Sequence, residues 1–89
     1  MKKDKIKLAD AKKLAFGINH INIHSYQYNV WVVYIEFQIT NHDYQDDYIA
    51  LETFRGEVRL FNTADAAIKA ARSITESCEI TVTFQPKAD

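Results

Sequence analysis

Between Val30 and Thr40 the sequence alternates without a break: Trp31, Val33, Ile35, Phe37 and Ile39 are apolar, and Val32, Tyr34, Glu36, Gln38 and Thr40 fall between them. Successive side chains of a strand point to opposite faces, so this run reads as one long strand with a fully apolar side. Such a side has to be covered, so the chain must supply neighbouring strands and an amphipathic layer to pack on them. Upstream, Ile21 and Ile23 alternate with His20, Asn22, His24, Tyr26 and Tyr28, giving a second strand. Downstream, beyond a polar loop at 41–47, Tyr48 to Phe54 and Glu57 to Phe61 read as two strands joined at Arg55-Gly56. Cys78, Ile80, Val82 and Phe84 alternate against Glu79, Thr81, Thr83 and Gln85 in a last strand that Pro86 closes.

Two segments follow the helical period instead. Leu8, Ala11, Leu14, Ala15 and Ile18 share one side, with lysines opposite and Gly17 at a helix end. The segment ADAAIKAARSI places Ala64, Ala67, Ile68, Ala71 and Ile74 on one face, and Asn62 or Thr63 can cap it. The predicted order is α-β-β-β-β-α-β. Its simplest packing is an α+β two-layer sandwich: a mostly antiparallel sheet of about five strands with both helices on one face. Residues 8–86 form a single domain, preceded by a basic arm at 1–7. With 89 residues the core is thin, and dimerisation is a natural way to thicken it.

Charge is distributed unevenly. Residues 1–13 hold six lysines against Asp4 and Asp10, whereas residues 14–54 hold five acidic residues and no lysine or arginine. The formal net charge of −1 argues against a domain devoted to gripping phosphate backbones. A single cysteine, Cys78, forbids an internal disulfide and fits a reducing compartment. No apolar run approaches the ~20 residues of a membrane span, and the basic N-terminus lacks the h-region of a signal peptide. A cytoplasmic protein without membrane contact is expected.

Catalytic patterns are thin. The sequence has no GxSxG elbow, no glycine-rich phosphate loop, and no CxxC or HExxH spacing. Alternation puts Cys78 in the core, where free cysteine acts as a small hydrophobe. His20 and His24 lie ~13 Å apart along a strand, too far to share one ion. The acidic loop Asp43, Asp46 and Asp47 lacks the spacing of a calcium loop. Neither catalytic residues nor a metal or cofactor is expected. The face opposite the helices would carry Tyr26, Tyr28, Val32 and Tyr34, more apolar than a solvated face should be. A homodimer or protein-contact surface accounts for it. A base-stacking platform would need cations around the rings, which this stretch lacks. Nucleic-acid contacts, if made, fall to Lys2, Lys3, Lys5, Lys7, Arg55 and Arg59.

Arg55-Gly56, Arg59, Phe61, Thr63, Asp65-Ala66 and Val82 form a pattern over residues 51–84, and LADAKKLA at 8–15 precedes it. The 51–84 pattern resembles the C-terminal half of the small plasmid partition-associated proteins of the ParC-like type, and the 8–15 segment is similar to that family's opening helix. The resemblance implies a non-enzymatic accessory of a plasmid or other mobile element that assists partition through protein contacts. A nucleic-acid binder, and a phage or plasmid inhibitor of a host defence complex, are the alternatives.

Overall fold

The computed structural model describes residues 3–38, 44 and 48–85, apart from the Tyr26 side chain. The chain runs through β1 (Lys5–Lys7), α1 (Leu8–Lys13), β2 (Ile18–Gln27), β3 (Val30–Phe37), β4 (Ile49–Glu52), α2 (Ala64–Ile74) and β5 (Glu79–Phe84), with a 3-10 turn at Ala15–Gly17. The five strands form one sheet in the order β1-β4-β3-β2-β5. Both helices pack into a single core with one side of that sheet. The α+β class and the five-plus-two element count are as the alternation predicts.

The pairing pattern corrects the expectation of a mostly antiparallel sheet. β2–β3 and β3–β4 are antiparallel, but β1–β4 and β2–β5 are parallel, so the sheet is mixed. The reason lies in the helices. β1–α1–β2 and β4–α2–β5 are crossovers, which return the chain in its original direction. Each crossover passes over two strands toward the β5 edge. Two crossovers of the same hand and direction must leave their helices on the same face.

The fifth strand is also not the one expected. Residues 57–61 make only isolated bridges, Val58 with Glu52 and Phe61 with Trp31. In their place, Lys5–Lys7 of the supposed basic arm forms β1 beside β4, with Ile6 fully buried against the core. A Lys-Ile-Lys triplet is too short to show a period, and its charges mask a core residue. Helical spacing likewise stops at Lys13, and Ile18 opens β2. Ile39, Thr40, most of the 41–47 loop, Lys2 and Pro86 lie outside the described residues.

Ile21, Ile23, Val33, Ile35, Ile49 and Leu51 are completely buried in one core with α2, whose Ala67 and Ala71 are equally buried and let the helix sit close to the sheet. Ile18 and Ile21 are both core residues although strict alternation would put them on opposite faces. A register shift between Ile18 and His20 supplies the extra residue. The Thr63 hydroxyl caps α2 by accepting from the Ala66 N–H at 3.1 Å. At the other end, the Arg72 guanidinium donates to the carbonyls of Glu76 and Cys78, each at 3.1 Å. No helix among the described residues is long and apolar enough to cross a membrane.

Because Ile6 has no exposed surface, Ile6→Ala should destabilise the fold by about 2–5 kcal/mol. Lys7→Ala, on the exposed side of the same strand, should change stability by less than about 0.5 kcal/mol. Urea unfolding of both variants measures the difference.

Candidate interaction surface

The expected surface of Tyr26, Tyr28, Val32 and Tyr34 does not form one patch. Val32 is 7% exposed, and the neighbouring Ala50 and His24 are equally enclosed. Tyr34 is half-buried in a row that runs Lys5, Ala50, Tyr34, Asn22 and Thr81 across all five strands. The side chain of Tyr26 lies outside the described residues. Tyr28 leaves this face altogether. A second register shift, between His24 and Gln27, breaks the alternation just before the turn. Ser25 anchors the shift: it is fully buried, and its hydroxyl is shared between the carbonyls of Gln27 at 2.6 Å and Val30 at 2.7 Å. The two-residue turn Tyr28-Asn29 follows, with Asn29 at φ 63°, a conformation that asparagine adopts more readily than most residues. Tyr28 is thereby placed against Phe84 of β5.

The face without helices is held by polar contacts between strands. His20 Nδ1 lies 2.8 Å from the Tyr48 hydroxyl, and its Nε2 lies 2.7 Å from the Thr81 hydroxyl. Thr83 donates to Asn22, and Asn19 donates to Glu36. An open polar depression of about 340 Å³ lies among Asn19, His20, Glu36, Glu79 and Thr81. Both ring nitrogens of His20 meet hydroxyls, Nε2 also lies 3.9 Å from the Glu79 carboxylate, and the set ties β2, β5 and the residue before β4 together. Sequence reading could not connect these partners, because Tyr48 and Thr81 lie 28 and 61 positions from His20.

A continuous apolar surface lies at the other end of β5. Tyr28 is 81% exposed and Phe84 40%, with ring centroids 5.4 Å apart, and Trp31 stands 5.9 Å from Phe84. These rings, Asn29, the Asn62-Thr63 step and the first residue of α2, Ala64, line a cleft of about 380 Å³. Val82 extends the strip along the strand and is 47% exposed. Trp31 and Phe84 read as ordinary core positions in sequence. The available signal was positional: the last apolar residue of a terminal strand has a neighbour on one side only if that strand is an edge.

The basic residues sit elsewhere. Lys5 pairs with Asp4 at 3.2 Å, Lys3 lies 5.9 Å from the Tyr44 ring, and Lys7 stands beside Glu52 in the β1–β4 register. Arg55 lies over Phe54 at 5.9 Å. Arg59 is half-buried, and its Nε is enclosed with no hydrogen-bond partner among the described residues. Lys2 is not described. No group of three or more metal-ligating side chains occurs among the described residues. No family model matches the chain, and no curated protein matches it either.

Cys78 packs against the core, and burial raises its thiol pKa above the ordinary value, while the Arg72 charge partly opposes the rise. The thiol form therefore contributes stability that is complete below the unfolded-state pKa of about 8.5 and is lost as pH rises through the higher folded value. Alkylation by iodoacetamide near pH 8.5 should be slower in native than in unfolded protein, and Cys78→Ala should flatten the alkaline loss of stability. Equal alkylation rates would contradict the burial assignment.

Proposed function

We propose that the protein is a small non-catalytic contact module that works as a homodimer, with the Tyr28–Phe84 end of the sheet as its contact surface. The observation that supports this reading is the run of exposed apolar side chains, Tyr28, Val82 and Phe84, beside an open cleft. Isolated exposed hydrophobes are ordinary, but rings in mutual contact on a surface mark a place where a partner is gained. The half-buried Trp31 supplies a rigid wall to the cleft, and aromatic anchors of this kind dominate protein interfaces. The setting comes from the likeness of residues 51–84 to partition-associated proteins: an accessory of a plasmid or other mobile element that acts through protein contacts in partition.

Nucleic-acid binding is the second reading, and the β1 edge favours it to the extent that Lys3, Lys5 and Lys7 gather there. Asp4 and Glu52 lie among them and offset part of that charge.

Sedimentation equilibrium over a range of concentrations, beside a salt titration with random duplex DNA, separates the readings. The contact module associates with increasing concentration, and Phe84→Glu weakens association at least tenfold with an unchanged circular dichroism spectrum. Duplex binding is then weak. Duplex binding that falls steeply with salt, by roughly −0.9 in slope per neutralised phosphate, and is lost in Lys5→Gln/Lys7→Gln but not in Phe84→Glu, would overturn the proposal.

A further inference from the structure

The two edges of the sheet are treated differently. β1 is three residues long and carries Lys5 and Lys7, and short, lysine-bearing strands are a common protection against edge pairing. β5 has six residues, with no lysine, proline or register shift, and no strand pairs with its outer side among the described residues. Its helix-side residues Val82 and Phe84 are exposed.

The backbone fixes which groups face outward. The Gln85 N–H donates to the Ser25 carbonyl of β2 at 2.9 Å. Hydrogen-bonding direction alternates along a strand, so Glu79, Thr81 and Thr83 also turn toward β2, and Ile80, Val82 and Phe84 point their N–H and C=O groups away from it. We infer that β5 pairs antiparallel with β5 of a second copy, centred on Val82, to join two sheets into one. This rests on the contact-module reading and names the geometry of its dimer.

The register follows from symmetry. A two-fold axis through Val82 sets Val82 opposite Val82, Ile80 opposite Phe84, and Thr81 opposite Thr83, so apolar meets apolar on the helix side and hydroxyl meets hydroxyl on the other. Every outward-facing residue of β5 lies in a doubly hydrogen-bonded pair. Glu79 stands opposite the second copy's Gln85, which avoids a like-charge pair. Sliding the axis to Thr83 would set Ile80 against Pro86, which has no N–H to donate. An axis at Thr81 would leave Phe84 against Cys78.

Amide exchange followed by NMR at high and low protein concentration tests the pairing. The amides of Ile80, Val82 and Phe84 should be protected at high concentration and exchange at least tenfold faster on dilution, while those of Thr81, Thr83 and Gln85 stay protected at both. Val82→Pro removes an outward N–H and no bond to β2, so it should give a folded monomer. An unchanged dimer in Val82→Pro, or fast, concentration-independent exchange at Ile80, Val82 and Phe84, would overturn strand pairing. In either case a wild type that still associates keeps the contact module, whereas salt-steep duplex binding by a monomer removes the module itself.

Discussion

The antiparallel pair β2–β3 is the constraint on which everything else rests. It occupies the middle of the sheet, and Ile21, Ile23, Val33 and Ile35 on it have no exposed surface. Burying side chains of this size is worth ~1.5–3 kcal/mol each, so these four residues outweigh any single polar contact in the molecule. They also dictate what must lie above them. A layer close enough to exclude water from β-branched residues needs small side chains, and Ala67 and Ala71 of α2 provide them. Both crossovers then bring a helix to that side, and the opposite face is left to settle its own hydrogen bonds. The contacts of His20 with Tyr48 and Thr81 are the result: side chains distant in sequence satisfy one another where no helix covers them.

Sequence periodicity made the central strands and α2 legible, because both report a local property. The Val30–Phe37 alternation and the alanine-rich face of 64–74 are each visible within one segment. Strand partnership is not local, and that is where reading failed. Nothing in Glu79–Phe84 states that it lies parallel to β2, since a parallel pair is set by a crossover helix and not by a turn motif. β1 failed for a different reason: one isoleucine between two lysines looks like part of a solvated arm, although Ile6 is fully buried once the triplet joins the sheet. The 53–61 segment shows the opposite error. Its Arg55-Gly56 turn is real, with Gly56 at φ 88°, but Val58 stays 39% and Leu60 61% exposed, so the segment gains too little burial to become a full strand.

The candidate surface was only partly legible, and the two register shifts explain why. Counting residues by twos from Ile21 puts Tyr28 with His24 and Asn22. One extra residue near Ser25 reverses that parity and carries the ring to Phe84. A buried serine in a row of isoleucines was the available hint, because a small hydroxyl in a core strand usually satisfies backbone carbonyls that a distortion has freed. Val32 illustrates the complementary error. An apolar residue on a face without helices is no binding surface when it is itself buried, as Val32 is.

Exposure along β5 follows from where the helices lie. α1 has only six residues, and α2 packs with β2 and β3 as well as β5. Among the described residues the β5 margin stays bare. α1 continues directly from β1 and holds the β1 margin closed, which is why Ile6 is fully buried while Val82 is nearly half exposed. Another layer or another strand would cover Val82 and Phe84. A strand has the advantage that it also uses the outward N–H and C=O groups of Ile80, Val82 and Phe84, which an added helix would bury without partners. The bare margin and the unguarded edge are therefore one feature of the fold, and they ask for the same kind of partner.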